Sequence, residues 1–470
     1  MVFSSLSFLV VFLPALCILY FIVPRNMKNL RQYVLLIFSL MFYGSGEPKY
    51  IFLIVGCIGL SWILSRFVEK RALWALLLSV LINIVPLIVT KYSGFIIKNI
   101  GILTGHADIS LPTIVMPIGI SFYTFQVLTY IVDLYNGKII RQKNPLLFTL
   151  YIMFFPQLIA GPIVKYEEIA ESLENPDISP DNIKYGAGRF IIGLGKKVLL
   201  ANQAGFIASS ILQCSMDSVN TGMAWLCVVA YTIQIYFDFS GYSEMAIGLG
   251  SIFGFHFPEN FKDPYISTSV AEFWRRWHIT LGRFFREYVY IPLGGNRVST
   301  LRWMGNIFVV WALTGLWHGA SWNFVIWGLY YGILITIERL LGLNKKIPKP
   351  IGWLLTLVIV MVGWAIFMLD QVPIREICAF IGKLFFINGH VSSPVTVSSL
   401  RLWSDMPFLA VGIFASTPLW VWLRGRISAS EKMSGTVANV VSDLIMIGIF
   451  FFSMIFLMGG TYNPFIYFRF

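Results

Sequence analysis

The sequence predicts an all-α protein that crosses a membrane many times, and three features support this fold class. Of its 470 residues, 57% are hydrophobic and 12% are charged, whereas soluble domains carry about 25% charged residues. Long apolar runs recur along the chain, and a membrane-spanning helix needs roughly 20 such residues. Aromatic residues make up 16%, which suits membrane interfaces, where Trp and Tyr are enriched. We therefore predict an all-α polytopic membrane protein.

Charge-free apolar runs locate the predicted helices. They are Phe3–Val23, Val34–Tyr43, Tyr50–Leu64, Ala72–Thr90, Leu111–Val132, Leu146–Val164, Val198–Ile211, Thr221–Phe237, Met304–Trp317, Trp322–Ile337, Ile351–Leu369, Met406–Leu423 and Leu444–Met458. Val34–Tyr43 is too short to cross a membrane by itself. Counted by length, the runs predict about eleven to thirteen transmembrane helices in a single domain that covers residues 1–470.

Pro156, Gly161 and Pro162 interrupt the end of one apolar run and predict a re-entrant segment there. Non-helical backbone at membrane depth must be shielded by protein or water. The sequence contains no visible internal repeat, although many secondary transporters consist of two related halves. A transporter that catalyses no reaction is therefore an alternative that the sequence does not favour.

The formal net charge of +12 is explained by membrane topology, because Lys and Arg accumulate in cytoplasmic loops. Basic clusters such as Arg25–Arg31 and Lys138–Lys143 follow apolar runs and predict cytoplasmic loops. We therefore predict that the protein lies in a lipid bilayer and does not bind nucleic acid. The first run lacks a basic leader and a cleavage site, so we expect it to remain as a span. The five cysteines show no metal-ligand spacing, and we predict no metal site and no disulfide framework.

One stretch, Ser269–Val298, interleaves aromatic residues and arginines at helical spacing. On a continuous helix Trp274, Trp277 and Leu281 would share one face. Such a segment is typical of an amphipathic helix that lies in the membrane interface.

The arginines of this stretch allow two interpretations. Arg275, Arg276, Arg283 and Arg286 cannot face lipid at depth, because each would cost about 2.5 kcal/mol or more. In the first interpretation they extend to the membrane surface from an interfacial helix. In the second they also form a polar vestibule, in which clustered guanidinium groups bind the phosphates of a thioester carrier.

His318 differs from the other four histidines because no charged residue occurs between Met304 and Ile337. An imidazole at membrane depth usually faces a cavity or a partner. Small residues flank it at Gly315, Gly319, Ala320 and Ser321, and they allow close backbone approach or leave room for a substrate. One interpretation is an interhelical hydrogen bond that holds helices together. The other is a general base that takes a proton from a hydroxyl near neutral pH.

Asp238 ends the apolar run Thr221–Phe237. Its carboxylate could orient a histidine or bind an acceptor hydroxyl, and a helix-terminal cap is the structural alternative. His106 and His390 lie in polar loops and receive no predicted role, and His256 is expected at an interface.

The chain resembles the membrane-bound O-acyltransferase family, and most closely its bacterial branch of the alginate O-acetylation type. The ordered motifs that carry the resemblance are Pro117–Gln126 (PIGISFYTFQ), Phe155–Ile163 (FPQLIAGPI), Asp238–Ser243 (DFSGYS), Pro258–Phe261 (PENF), Phe273–His278 (FWRRWH), Tyr290–Gly295 (YIPLGG), Gly315–Ala320 (GLWHGA) and Pro464–Phe470 (PFIYFRF). They extend over nearly the whole chain, which makes the set far more specific than any one motif.

The resemblance implies a ring of tilted helices around a central tunnel that opens to both membrane faces. It implies that His318 is the catalytic histidine and that His278 is a second histidine on the cytoplasmic side of the same tunnel. It implies a multi-pass protein of the bacterial cytoplasmic membrane. Acetyl-coenzyme A or an acyl-carrier thioester would act as a cytoplasmic co-substrate, with no tightly bound cofactor. The acceptor would be a polysaccharide outside the membrane, served by an extracytoplasmic acyltransferase or esterase-like partner.

Further residues near these motifs are expected to contact substrates. They are Asp238, Trp274, Arg275, Arg276, Trp277 and Asn323. Asn323 is considered as a donor to the oxyanion that acyl transfer creates.

Two enzyme functions remain open from the sequence. The first is O-acetylation of an exopolysaccharide or cell-wall polysaccharide. The alternative, from a sister branch of the family, is transfer of D-alanine from a carrier protein to teichoic acid. A thioester donor and a hydroxyl acceptor are common to both functions.

Overall fold

Helices form every regular element in the part of the chain that the structure describes. The computed structural model describes residues 1–106, 114–370, 372–387, 391, 394–460 and 462–466, and for residues 427–438 it describes the helical backbone. The predicted all-α class is confirmed for these residues.

The α-helices are numbered in chain order. They are α1 (Leu13–Ile22), α2 (Lys28–Gly44), α3 (Ile51–Val68), α4 (Leu73–Leu87), α5 (Ser93–Thr104), α6 (Ile120–Tyr135), α7 (Pro145–Met153), α8 (Phe155–Leu158), α9 (Tyr166–Glu174), α10 (Pro180–Gly195), α11 (Asn202–Leu212), α12 (Thr221–Ile252), α13 (Val270–Arg276), α14 (Ile279–Phe285), α15 (Thr300–His318), α16 (Trp322–Leu341), α17 (Leu343–Lys346), α18 (Lys349–Met368), α19 (Ile374–Leu384), α20 (Met406–Ala415) and α21 (Pro418–Gly459). Short π-helical segments occur at Phe8–Phe12, Ile88–Tyr92, Lys196–Ala201 and Arg286–Tyr290, and 3₁₀ turns at Met216–Ser218 and Pro264–Ile266.

Among the described residues, seven helices are long and apolar enough to cross a membrane. An eighth span results if α20 and the start of α21, which are bent by 70° relative to each other, are counted as one. The seven segments are Ile51–Val68, Leu73–Thr104, Pro180–Leu212, Thr221–Ile252, Trp322–Leu341, Lys349–Met368 and Asn439–Gly459. The protein is therefore a multi-pass membrane protein, and the count of eleven to thirteen helices stays a prediction.

The chain divides into two compact units. Unit 1 comprises Met1–Phe190 and Ser243–Glu259, and unit 2 comprises Ile191–Tyr242 and Asn260–Phe470. Two of the three boundaries fall inside α10 and α12, and the third falls between residues 259 and 260, in the stretch between α12 and α13. The prediction of one domain over residues 1–470 is not decided by this division.

In unit 1, α6 occupies the interior. Thirteen of its 16 residues are buried, including Gln126 and Asp133, so the predicted span Leu111–Val132 is for the most part an inner helix. Of that span, residues 111–113 lie outside the described chain. The helix begins after Gly119, which has a left-handed φ of 75° and lies so close to the backbone of α8 that a Cβ would be 2.6 Å from the Leu158 carbonyl oxygen.

The predicted break near Pro156 is also present in unit 1. Helix α7 ends at Met153, a single helical turn follows as α8, and residues 159–164 continue without helical structure. All residues from Leu150 to Val164 are buried. Protein therefore shields this non-helical backbone, which is the condition for such backbone to lie at membrane depth.

In unit 2, α15 and α16 form a hairpin with unusually close backbones. A Cβ at Gly315 would overlap the carbonyl oxygen of Phe324, and a Cβ at Gly328 would overlap that of Trp311. The small residues beside His318 thus serve close packing, as one of the two sequence interpretations proposed. Ser321 begins α16 as its N-cap, since its side chain accepts a hydrogen bond from the Phe324 N–H.

Replacing Gly315 by Ala should destabilise the hairpin. Overpacking costs typically about 1–3 kcal/mol, and here the new methyl group meets backbone, which cannot rotate away. We expect the melting temperature of detergent-solubilised protein, followed by tryptophan fluorescence, to fall.

Gly305→Ala is the matched control on the same helix, because nothing lies within 4 Å of a Cβ at Gly305. Alanine is favoured over glycine inside helices by about 1 kcal/mol, so this variant should be neutral or slightly more stable. Equal melting temperatures for both variants would contradict the close-packing interpretation.

Candidate functional site

The arginine-rich stretch is two short helices with a break between them, not the continuous helix that its spacing predicted. Helix α13 ends at Arg276, Trp277 is extended, and His278 has a left-handed φ of 44° before α14 begins. The expectation that Trp274, Trp277 and Leu281 share one helix face is therefore wrong. The break turns His278 into the protein interior, where its side chain is 2% exposed.

Asn260 holds this break in place. Its backbone carbonyl accepts the N–H of Ile279 at 2.9 Å. Its side-chain Oδ1 accepts the N–H of Thr280 at 3.3 Å and the Thr280 hydroxyl at 2.9 Å. The same oxygen lies 3.1 Å from Nδ1 of His278. Asn260 itself is fully buried, so these contacts are shielded from competition with water.

Aromatic rings enclose the imidazole of His278. The centroid of Phe239 lies 4.6 Å away in an edge-to-face arrangement, and that of Trp317 lies 5.7 Å away. Nε2 of His278 is buried and has no hydrogen-bond partner in the described part of the chain. Burial lowers the pKa of His278 to about 3, because a low-polarity environment disfavours the charged form. The imidazole is therefore neutral at pH 7.

His318 is the last residue of α15 and is 3% exposed. Its ring packs against Trp317 at 4.9 Å, and edge-to-face against Trp327 and Phe367, both at 5.1 Å. Because Trp317 contacts both imidazoles, the structure brings the two predicted histidines to one aromatic site in unit 2.

Trp274 and Trp277 belong to the aromatic cluster of this site. The ring centroids of Trp277 and Trp364 are 4.8 Å apart in a tilted arrangement, and the ring of Trp274 lies 5.5 Å from that of Trp327 and 4.8 Å from that of Tyr331. Both predicted tryptophans therefore pack against aromatic neighbours, and Trp277 is buried whereas Trp274 is half-buried.

Three hydrogen-bond donors of this cluster are unsatisfied within the described residues. They are Nε1 of Trp274, Nε1 of Trp327 and the hydroxyl of Tyr331, and all three atoms are buried. Buried polar groups nearly always have partners. Neighbouring unsatisfied donors beside a buried histidine are therefore the feature expected where a substrate or water binds.

The two adjacent arginines have different environments. Arg276 makes an i,i+4 ion pair with Glu272 at 2.9 Å and donates to the carbonyl of Lys262 at 3.1 Å. Its guanidinium thus stabilises α13. Arg275 is exposed, and the described residues provide it with no ion pair. Of the two, Arg275 is the one available to an external anion.

Asn323 is committed to the backbone. Its side-chain amide donates to the carbonyls of Leu369 at 2.9 Å, Asp370 at 3.1 Å and Val372 at 2.9 Å. These bonds hold the chain where α18 ends. They occupy both amide protons and leave the predicted oxyanion role of Asn323 without support.

Asp238 lies within α12, not at its end, so the predicted helix cap is wrong. Its carboxylate pairs with Lys197 at 2.6 Å, and the two side chains are 1% and 3% exposed. The Ile466 N–H also donates to the carboxylate, at 2.9 Å, and Nζ of Lys197 donates to the Pro464 carbonyl. The buried pair therefore anchors the described end of the chain, residues 462–466. Residues 467–470 of the predicted terminal motif lie outside the described chain.

Two further histidines have their own local contacts in unit 1. His256 is exposed and lies 3.8 Å from the carboxylate of Asp177, and Nδ1 of His106 is 2.9 Å from the Thr104 carbonyl. His390 lies outside the described residues. Within the described part, no three His, Cys, Asp or Glu side chains gather as metal ligands.

Sequence reasoning missed four residues of the site and its support. They are Lys197, Asn260, Trp327 and Tyr331. Asn260 stood inside the quoted PENF motif, which was an available signal, but its partner His278 is 18 positions away. The sequence contains no signal for the donors of Trp327 and Tyr331, because a donor can be recognised as unsatisfied only once its surroundings are known.

Two buried histidines beside unsatisfied donors, within an all-helical membrane fold, form the candidate site of this protein. A model of MBOAT, the membrane-bound O-acyltransferase family, matches residues 136–353, which include both histidines. This chain belongs to that family and is an acyltransferase, as the likeness to relatives over the whole chain also shows.

The relatives differ in their acyl group and acceptor. The probable alginate O-acetylase AlgI of Pseudomonas putida is 35% identical over 492 aligned positions, covering 100% of both chains. The peptidoglycan O-acetyltransferase of Helicobacter pylori is 34% identical, covering 78% of this chain and 77% of that protein. The teichoic acid D-alanyltransferase of Bacillus subtilis is 28% identical, covering 59% of this chain and 70% of that protein. The predicted resemblance is confirmed, and the transporter alternative is not supported.

Asp238→Asn should destabilise the protein, because it leaves the Lys197 ammonium buried without its counter-ion. Breaking a buried ion pair costs about 3–5 kcal/mol. We expect a lower melting temperature for detergent-solubilised protein, and partial recovery when Lys197→Met is combined with Asp238→Leu.

Glu69→Gln is the control, since it removes the partly exposed pair with Arg141, and such pairs contribute about 0–1 kcal/mol. An unchanged melting temperature for Asp238→Asn, together with a higher KM for the acceptor, would instead assign the carboxylate to substrate binding.

Proposed function

We propose that this protein is a membrane O-acetyltransferase that transfers an acetyl group from a cytoplasmic thioester to a hydroxyl of an extracytoplasmic polysaccharide, with His318 as the general base. The observation that carries the proposal is the joint burial of His318 and His278 around Trp317, beside donors that lack partners. Hydrophobic packing alone would not need this arrangement, since unsatisfied donors are costly to bury.

The chemistry requires a hydroxyl to attack the thioester carbonyl. His318 takes the hydroxyl proton as the new C–O bond forms, which gives a tetrahedral intermediate and an imidazolium. Collapse of the intermediate breaks the C–S bond, and the proton passes from the imidazolium to the leaving thiolate. The ester and the free thiol are the products, and the histidine returns to its neutral form. His278 supplies a neutral imidazole whose Nε2 accepts a hydrogen bond from the bound substrates.

The oxyanion of the intermediate needs preorganised donors in a dry environment. Asn323 does not fit this role, because its amide protons bind three carbonyls. The indole N–H of Trp327 fits better, since its ring contacts His318 at 5.1 Å and the donor is unsatisfied in the described chain. Trp274 and Tyr331, whose donors are also unsatisfied in the described chain, contact the ring of Trp327.

The charge of the acetyl donor explains why it would be delivered from the cytoplasm. The phosphates of acetyl-coenzyme A cannot cross a membrane, so only the acetyl group needs to approach the acceptor at membrane depth. Arg275 is exposed next to the break that leads to His278, and guanidinium groups bind phosphate well. A passage that lets thioester and hydroxyl meet from opposite membrane faces completes the proposal.

The acetyl group is favoured over D-alanine by the relatives. The two named as O-acetylases or O-acetyltransferases are 34% and 35% identical to this chain and cover more of it than the D-alanyltransferase does. The names of these relatives refer to alginate and peptidoglycan, so a polysaccharide is the proposed acceptor class. An extracytoplasmic acyltransferase or esterase-like protein is the proposed partner that completes transfer to the polymer.

His318→Ala should lower acetyl transfer by about 100-fold or more, the range that general-base catalysis contributes. The measurement is turnover of radiolabelled acetyl-coenzyme A by proteoliposomes, with candidate acceptors added singly. His256→Ala serves as the control because this histidine is exposed and lies 3.8 Å from the carboxylate of Asp177. Turnover by His318→Ala within a few-fold of the unmodified protein, at equal melting temperature, would remove His318 from the proposed role.

Arg275→Gln should raise the KM for acetyl-coenzyme A about tenfold, since a charge-assisted hydrogen bond contributes roughly 1.5–3 kcal/mol. The KM for the acceptor should stay unchanged. The matched control is Arg375→Gln, an exposed arginine in the first turn of α19.

An equal rise in both KM values for Arg275→Gln would contradict a donor site at this arginine. Turnover of a D-alanyl carrier protein, in place of acetyl-coenzyme A, would select the D-alanyl alternative.

A further inference from the structure

The side chain of Asn260 has an orientation that the surrounding donors determine. The backbone N–H of Thr280 can only donate, and it points at the side chain of Asn260 from 3.3 Å. The Asn260 atom at that position must therefore be the oxygen, Oδ1. The Thr280 hydroxyl, 2.9 Å away, donates to the same oxygen.

This orientation has a consequence for His278. Its Nδ1 lies 3.1 Å from Oδ1 of Asn260, and an oxygen of an amide can only accept. Nδ1 must therefore carry a proton and donate it. A neutral imidazole has one N–H and one acceptor nitrogen, so Nε2 holds a lone pair. That nitrogen is buried and has no partner in the described chain.

The backbone of the break supports the same arrangement. The N–H of Ile279 donates to the Asn260 carbonyl at 2.9 Å, and the N–H of Lys262 donates to the Arg276 carbonyl at 2.9 Å. Residues 260–262 thus run beside residues 276–279, and they hold His278 in its left-handed conformation. The ring cannot turn to present Nδ1 elsewhere without losing its bond to Asn260.

We infer that Asn260 is a positioning residue of the acyl-transfer site, which fixes the tautomer of His278 with the proton on Nδ1 and the lone pair of Nε2 directed to the reaction. The inference rests on the proposed function for what Nε2 does. The tautomer itself is a property of the resting protein.

The electrostatic surroundings make the effect of a charge at residue 260 predictable. The rings that contact His278 are those of Phe239, Phe261 and Trp317. The charged residues nearest along the elements that pack here already have partners: Asp238 pairs with Lys197, and Arg276 with Glu272. Glu244 and Glu259 pair with Arg189, and Asp263 pairs with Arg424. The further charged residues on these elements are cationic: Lys262, Arg275, Arg283 and Arg302. No carboxylate contacts the imidazole among the described residues.

Asn260→Asp is the diagnostic variant because it keeps an oxygen acceptor for Nδ1 and adds a negative charge. A carboxylate beside an imidazole favours the imidazolium and raises its pKa. The pKa of His278 starts from about 3, below the range of an activity assay. Asn260→Asp should therefore bring into the assay range a new loss of turnover as pH falls, while turnover at high pH is largely kept.

Asn260→Leu should remove the oxygen that accepts from Nδ1 of His278, so that the proton is no longer held on Nδ1. Turnover should fall by about 100-fold at every pH, within the range that general acid–base groups contribute, and a change of pH should not rescue it. Thr280→Val is the matched control, because it deletes one donor to the same oxygen and leaves Nδ1 of His278 bonded. Its turnover should remain within about threefold of the unmodified protein, with an unshifted pH profile.

The direct measurement is the ¹⁵N spectrum of histidine-labelled protein in bilayers, with the His278 signals identified by their loss in His278→Gln. We expect a protonated Nδ1 and an unprotonated Nε2 in the resting protein, and loss of this pattern in Asn260→Leu. A proton on Nε2 in the unmodified protein would overturn the inference. An Asn260→Asp profile without the new acidic limb would do the same, and this variant remains informative if Asn260→Leu does not fold.

The outcomes separate this inference from the proposed function. The ¹⁵N spectrum requires no turnover, so it reports the tautomer even if the substrates are different ones. Activity retained by His318→Ala would end the proposed function and leave the tautomer result intact. If His278 instead carries its proton on Nε2 while His318 remains essential for turnover, only the proposed positioning role of Asn260 would be refuted.

Discussion

A polar side chain buried among membrane helices must find its partner inside the protein, because lipid offers none. Three sets of polar contacts in unit 2 illustrate this constraint. The carboxylate of Asp238 pairs with Lys197 and holds residues 462–466. The amide of Asn323 holds the end of α18 through three carbonyls, and Asn260 holds the break before α14. In each case a buried polar group stabilises a stretch of chain without helical hydrogen bonds.

The same constraint bears on the buried polar groups that have no hydrogen-bond partner among the described residues. Nε2 of His278, the indole donors of Trp274 and Trp327, and the hydroxyl of Tyr331 are buried and unsatisfied within the described residues. Elsewhere in this unit, the buried side chains of Asp238 and Asn323 anchor backbone. Leaving several unsatisfied in one aromatic cluster carries a cost that packing does not repay. The proposed roles of these groups in substrate binding and proton transfer agree with membership of an acyltransferase family.

Several sequence predictions concerned the right residues but the wrong surroundings. Hydropathy located Trp322–Leu341 and Lys349–Met368 well, because lipid-facing helices must be apolar along their length. It also selected Leu111–Val132, whose helix α6 is mostly buried in unit 1, since an inner helix and a lipid-facing helix are equally apolar. Helical spacing predicted one helix through His278, because spacing cannot register a left-handed residue that a distant asparagine stabilises.

The sequence alone determined that this chain is an all-helical, multi-pass membrane protein and that it belongs to an acyltransferase family. It also identified His318 and His278 as candidate catalytic residues. Composition and ordered motifs are local properties, so they can be recognised without coordinates. Only the tertiary structure decided which polar residues are committed to the backbone and which are available. That distinction depends on atoms brought together from distant parts of the chain, such as Asn260 with His278 and Lys197 with Asp238, and hydrogen bonds form only at contact distance.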